Sequence, residues 1–443
     1  MVRLAFLLLG ARALQPQWRI LVLAGAVWCL LGLLMLADLS DGRMSGLTDT
    51  LGILLAIEGV VETGAAFALG WRQSWRGLLR GLGFLFAGFL VADIPWDNNI
   101  GSTILFGSAF LIDGLLRISA AFVVHNRRWR HGLIAGLAEI VISVLVFLNH
   151  PIPHRLTVPF CLSLLLLTSG YALLAMAIQL RRLVPGASVT SLPLYASRNW
   201  HDRPDISLGE AQAGPEFPGQ QLLVHVWTAM GTAEGAHGQP VVRRYIAAVD
   251  GNGVVSTGHA ALELPPDLYV SHYPAVEIDR DSDNFRHALH SGVQNNVPGR
   301  FQPSYAEESA GWCPADQTVA FTRFNPAALR VFWRVYSEDK TYNLTARNCS
   351  TTVIQALDAA IEGVMDNGRP IRRLIHLLLD PHFWLLRLVR GRAELMTWTP
   401  GLVLDYARLL VQVTEHGDRR WLRRLREAWQ TRRLAGTHRR AAA

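Results

Sequence analysis

Apolar residues follow two different patterns along this chain. Up to about residue 183 they come in long blocks; beyond residue 220 they alternate, or recur at helical spacing, among polar and charged residues. Six blocks, near 19–38, 47–70, 77–95, 101–124, 132–149 and 157–180, each run about 18–24 residues. Each is long enough to cross a bilayer as a helix, which satisfies its own backbone in hydrocarbon, so the pattern predicts six spans. Ahead of them, Arg3, the run Leu4-Ala5-Phe6-Leu7-Leu8-Leu9 and Ala11-Arg12-Ala13 imitate a signal peptide. That run is too short to span and Arg12 interrupts it, so an interfacial lead-in helix is expected instead.

The second regime begins after a connector, residues 184–219, that holds Pro185, Gly186, Pro193, Pro204, Pro215 and Pro218. Residues 221–228 and 241–249 read as strands, Asp250-Gly251-Asn252-Gly253 as a tight turn, and 256–264 as a strand whose alternation puts His259 on one face. Another strand near 268–273 follows Pro265-Pro266-Asp267, and helices are expected near 325–337 and 350–362. Strands first and a helix last give an α+β domain over residues 220–365. Residues 366–443 carry apolar faces broken by Arg372, Arg373, Arg387, Arg390 and Arg408. They read as basic amphipathic helices, lying on the inner leaflet or covering the membrane domain. The run 419–440 reads as a solvated or lipid-facing helix.

Composition sharpens this division. Half of the 443 residues are hydrophobic and only 17% are charged, too apolar for an ordinary soluble domain. The net charge of +7 is carried by arginine, Lys340 being the one lysine. No aromatic-interleaved basic motif accompanies the arginines, so lipid headgroups and membrane topology are their expected partners and nucleic acid is not. Arg72, Arg76 and Arg80, then Arg127, Arg128 and Arg130, then Arg181 and Arg182 occupy alternate loops; Asp38, Asp41, Asp93 and Asp97 mark the others. The positive-inside rule therefore places both ends of the bundle, and the α+β domain, in the cytoplasm. Cys29, Cys161, Cys313 and Cys349 show neither metal-ligand spacing nor paired bridges, so no metal or other cofactor is expected.

An internal repeat organises the spans. Trp18-Arg19, Trp75-Arg76 and Trp129-Arg130 each open one, and Ile57-Glu58-Gly59, Ile112-Asp113-Gly114 and Thr168-Ser169-Gly170 recur about 55 residues apart. With Ala65-Ala66-Phe67 and Ala120-Ala121-Phe122 after the first two triplets, residues 15–183 resemble the HdeD family of bacterial inner-membrane proteins. That resemblance implies a six-helix bundle of three repeated hairpins and an association with acid resistance; the third hairpin departs by carrying Ser169 where the others have an acid. Glu58, Glu62 and Asp113 inside spans support two readings, a proton or ion relay and an interhelical hydrogen-bonded clamp. Gly59, Gly64, Gly114 and Ser119 allow the close helix approach that a clamp needs.

The candidate chemistry lies in Arg347-Asn348-Cys349-Ser350-Thr351-Thr352, a thiol at a loop-to-helix junction. There the helix dipole and free N–H groups favour thiolate, the nucleophilic form. Gly258-His259 supplies the candidate base. A histidine on an early strand, a polar residue on the next and an Asn-Cys pair opening a later helix resemble the circularly permuted papain-like proteins, which include NlpC-type and lecithin:retinol-acyltransferase-like enzymes. The resemblance covers residues 220–365. It implies hydrolysis or transfer at an amide or ester bond through a thioester on Cys349, with His259 as base and then acid and His272 as orienting partner. Asn348 then serves either as an oxyanion donor or as a helix cap.

Cys313, in a Pro-flanked loop, is the competing nucleophile, and His225, His237, His287 and His290 have no helper residues in view. A lipid-linked or membrane-protein substrate suits a site held near a bilayer, and a homo-oligomer fits as well. The alternative is a non-enzymatic stress-response or transport protein whose cytoplasmic domain only binds a partner.

Overall fold

The computed structural model describes residues 1–37, 46–69, 75–92, 99–125, 129–192, 219–228, 248–249, 255–276, 278, 289–378 and 380–416. The described chain forms two compact units, one of Met1–Gly25, Leu116–Ala135 and Ala172–Glu415, the other of Ala26–Leu115, Gly136–Tyr171 and His416–Ala443.

Helices occupy all six apolar blocks: α3 (Trp18–Ala37), α4 (Gly46–Leu69), α5 (Trp75–Val91), α6 (Asn99–Val123), α7 (Trp129–Phe147) and α8 (Thr157–Arg181), the first two helices of the chain being α1 (Val2–Leu9) and α2 (Ala11–Leu14). Four described helical stretches, Ala11–Ala37, Asn99–Val123, Trp129–Phe147 and His154–Arg181, are long and apolar enough to cross a membrane. This is a membrane protein. Each repeated Trp-Arg pair opens its helix, and Arg19 and Arg130 lie over the rings of Trp18 and Trp129 at 5.5 and 5.6 Å. The glycines of the first two triplets sit where helices nearly touch. A Cβ on Gly59 would meet the Leu85 nitrogen at 2.5 Å, and one on Gly114 would meet the Gly136 carbonyl at 2.7 Å. The tight contacts therefore join α4 to α5 and α6 to α7, that is, one repeat to the next.

In the unit that contains Ala172–Glu415, a four-stranded antiparallel sheet has the order β5-β4-β1-β8, with β1 Leu222–Trp227, β4 His259–Leu264, β5 Leu268–Val270 and β8 Gln317–Phe321. A second sheet joins β6 (His272–Pro274), β7 (Val297–Phe301) and β9 (Thr341–Tyr342), and β2 (Ala248–Val249) pairs β3 (Val255–Ser256). The turn expected at 250–253, the first part of the 241–249 strand, most of the 184–219 connector and the basic run 419–440 lie outside the described residues.

Register explains the core. Val224 faces Leu262 and Val319, and Leu262 faces Val270, so these residues share one face of the sheet with Leu222, Val226, Ala260 and Phe321, and most are fully buried. The helices that follow are α9 (Tyr305–Gly311), α10 (Pro326–Tyr336) and α11 (Cys349–Ile361); α11 packs on β4 and on α10. The opposite sheet face, with Trp227, Ala261 and Tyr269, is covered by Tyr305, Cys313 and Ala315 from α9 and the loop after it. The layout is thus helical and sheet-bearing in the same chain, and among the described residues the strands come after residue 220.

The lead-in helix differs from its expectation at an interface, and the C-terminal helices bury their apolar faces against protein. The side chains of Leu4 to Leu9 are almost completely buried within the protein; Leu7 and Leu8 carbonyls accept from the N–H groups of Gly363 and Met365, each at 2.9 Å. Gly10 and Gly363 both have positive φ, and a Cβ on Gly10 would meet the Gly363 Cα at 2.8 Å, so only glycine permits this junction. Downstream, α12 (Pro370–Leu378), α13 (Pro381–Leu395) and α14 (Pro400–His416) bury Leu374, Leu377, Phe383, Leu386, Tyr406 and Leu410. Their apolar faces found protein in place of lipid, and α1, α12, α13 and α14 build the core around the C-terminal half of α11.

Candidate active site

The loop before α11 is shaped by its own side chains. Asn343 Oδ1 accepts from the N–H groups of Thr345 and Ala346 at 3.2 and 3.0 Å, and Asn343 bridges to Arg347 across the turn. The buried Arg347 guanidinium is paired with Asp339, donates to the Tyr336 carbonyl at 3.0 Å and lies 4.2 Å from the Tyr336 ring centroid. Asn348 then starts the helix with a capping box: its Oδ1 accepts from Thr351 N–H at 2.8 Å, while its own N–H donates to Thr351 Oγ1 at 2.7 Å.

The Asn348 amide is committed on its other side as well. Nδ2 donates to the carbonyls of Leu344 at 2.8 Å and Trp398 at 3.1 Å. Of the two roles considered for Asn348, the structure gives the cap, because no donor of that side chain is left for a substrate oxygen. Replacing it with alanine is expected to cost about 1–2 kcal/mol, with the Leu344 and Trp398 carbonyls left to find water. A fall in the thermal unfolding midpoint of Asn348→Ala, absent in a surface control such as Glu307→Ala, is the measurement that checks this.

This junction places Cys349 as the first residue of α11, where Cys349 and Ser350 N–H groups have no carbonyl one turn earlier to bond. The ring of His259, which opens β4 and pairs with Trp227 of β1, is close enough for it and the Cys349 thiol to shift each other's protonation. Both are buried, with 8% of Cys349 and 3% of His259 exposed, so their mutual charge is poorly screened. Burial raises a thiol, yet the His259 cation, the hydrogen bond from that ring, the Ser350 hydroxyl and the Ala260 N–H together hold Cys349 below the usual thiol range. Conversely, burial lowers an imidazole, but the neighbouring thiolate and the Glu308 carboxylate carry His259 above its ordinary value. Both shifts run toward a thiolate–imidazolium pair.

The far side of the ring meets a hydroxyl and a carboxylate. His259 Nε2 lies 2.9 Å from Ser271 Oγ and 3.2 Å from Glu308 Oε1. Glu308, from α9, is itself only 5% exposed. The phenols of Tyr269 and Tyr273 each donate to it at 2.7 Å, and the Tyr273 ring stacks on His259 at 4.1 Å between centroids.

His272 does not take the orienting role expected of it. Its Nδ1 faces Thr352 Oγ1 at 3.2 Å and its Nε2 the Lys340 carbonyl at 3.4 Å, and burial pushes the ring down to about 4, so it is neutral. The reason is strand alternation: Tyr269, Ser271 and Tyr273 point one way and Val270 and His272 the other, and only the first set faces His259. Glu308 lies outside the sequence reading because it comes from a short helix far from either motif; the Tyr269-Ser271-Tyr273 alternation is the signal that points toward it.

The competing groups have other occupations. Trp227 Nε1 donates to the Cys313 carbonyl at 2.8 Å, and burial with the Asp316 charge pushes the Cys313 thiol up, away from reactivity. His225 lies between Glu263 at 2.8 Å and Thr318 at 3.1 Å, and His290 stacks on His125 at 5.6 Å. His237 and His287 are outside the described residues.

No protein-family model matches the chain, and no curated protein or solved structure matches it either. The geometry alone carries the functional argument.

Proposed function

We propose that this protein is a membrane-anchored cysteine hydrolase or acyltransferase acting at an amide or ester bond. The observation that carries the reading is the buried Cys349–His259 pair at a helix start, with Glu308 behind the imidazole. In this reading the Cys349 thiolate attacks the carbonyl carbon, and the developing oxyanion is met by the N–H groups that open α11. The His259 imidazolium gives its proton to the departing amine or alcohol as the carbon–heteroatom bond breaks, leaving a thioester on Cys349 and a neutral ring. Water, or an acceptor hydroxyl or amine, then loses a proton to His259 as it attacks the thioester, and the thiolate leaves. Glu308 orients the ring throughout.

The proposal keeps both resemblances, to the permuted papain-like enzymes and to the HdeD-type bundle, and assigns the six helices α3 to α8 as spans with the soluble part in the bacterial cytoplasm. A site tethered to the bilayer favours a lipid-linked or membrane-protein substrate. The test is incubation of the detergent-solubilised protein with a p-nitrophenyl acyl ester, followed by intact mass and peptide mapping. The expected result is one acyl group on Cys349 and none in Cys349→Ala. A Cys349→Ala protein that releases nitrophenol at the wild-type rate would overturn the reading in favour of a non-enzymatic module.

A further inference from the structure

Two phenols converge on one buried carboxylate behind the proposed base. The arrangement divides the two oxygens of Glu308 between them. Tyr269 donates to Oε2, and Tyr273 donates to Oε1, the same oxygen that faces His259 Nε2. Tyr273 adds a second contact by stacking its ring on the imidazole, and Ser271, between the two tyrosines in sequence, reaches Nε2 at 2.9 Å. One short stretch of chain, from β5 into β6, thus holds the acid, the ring plane and the ring nitrogen.

We propose that Tyr269 and Tyr273 are positioning residues of the cysteine site, a phenol clamp that holds the Glu308 carboxylate turned toward His259. This deepens the reading of a Cys349–His259 nucleophile and rests on it.

The physical reason is the cost of burying a charge. A carboxylate this deeply enclosed needs donors to replace the water it has lost, and here the phenols are those donors. The charge on Glu308 stabilises the imidazolium, and the imidazolium stabilises the thiolate. The phenols cannot release protons to do otherwise, since burial and the Glu308 charge push both Tyr269 and Tyr273 well above the usual phenol range. Other titratable groups around the ring are Cys349 from α11 and His272 from β6, the latter held neutral by burial. Each Tyr→Phe change removes one donor and keeps the ring, so the stack on His259 survives while the clamp opens.

The experiment is the pH dependence of Cys349 alkylation by iodoacetamide, read by mass spectrometry of the Cys349 peptide in the intact solubilised protein. Wild type is expected to react with a midpoint below the free-thiol range near about 8.5. In Glu308→Gln and in the Tyr269→Phe/Tyr273→Phe double variant the midpoint is expected to move up by about one pH unit, a tenfold loss of thiolate in the falling limb. Glu308→Asp, which restores the charge, is expected to recover part of the shift. A double variant that matches wild type while Glu308→Gln moves would reduce the tyrosines to packing and overturn the clamp. If His259→Ala also leaves the midpoint unmoved, the nucleophile pair itself fails, so failure of the clamp and failure of the underlying reading give different patterns.

Discussion

His259→Ala is expected to slow acylation of Cys349 by about 10²–10⁴-fold at neutral pH, the range that a positioned acid–base group supplies. The loss should grow as pH falls. In the wild-type protein the imidazolium holds the thiol below its usual range, so thiolate is full above that depressed midpoint and disappears only as pH drops through it. Without the ring, burial is opposed only by the Ser350 hydroxyl and the Ala260 N–H, so the thiol rises and thiolate appears at higher pH. The variant should therefore approach wild type near pH 9 and fall farthest behind near pH 6. Stopped-flow release of nitrophenol across that range checks it, and the Cys313 peptide serves as an internal reference because its thiol lies outside this pair. A pH-independent deficit would mean that His259 supports the fold without activating the sulfur.

Much of this site was legible in the chain because its signals are local. A short polar loop followed by Val353, Leu357 and Ile361 at helical spacing fixes a helix start, and Asn348-Cys349 is what a cap followed by a first residue looks like. Gly258-His259 before an alternating run likewise marks a strand opening. Pairing the two took only the assumption that an imidazole and a thiol were meant to meet. The orienting acid was not legible, because Glu308 reaches His259 through tertiary folding alone and its own neighbourhood, Ser304 to Gly311, reads as an ordinary capped helix. His272 misled because residue type was weighed before strand parity. In the bundle the repeat made all six helices readable. At the termini the same apolar, arginine-broken pattern fits a lipid surface or a protein surface equally well. Only the carbonyls of Leu7 and Leu8, bonded to the residues just past α11, distinguish the two.

Arg390→Ala is expected to be the most destabilising single change in the unit that carries the site. Arg390 Nη1 and Nη2 each donate to one oxygen of Asp358 at 2.7 Å, a bidentate pair in which both partners are buried. Nη1 also donates to Tyr406 Oη at 2.9 Å and Nε to Glu394 at 2.7 Å, so one guanidinium ties α11, α13 and α14 together. Truncating it strands the Asp358 carboxylate in the core, a loss of about 3–5 kcal/mol. Deleting both charges is a different case: Arg390→Met with Asp358→Leu removes both members of the buried pair and leaves Glu394 with Arg3, so it should recover part of that loss. Hydrogen exchange of the α11 amides is the appropriate measure, since a two-unit membrane protein need not unfold in one step. The single variant should lose protection throughout α11, and the double variant should regain it. Because Cys349 opens the same helix that Asp358 helps to anchor, the single variant should also lose acylation rate and the double variant recover it. Unchanged exchange in Arg390→Ala would mean that α13 and α14 are held to α11 by apolar contact alone.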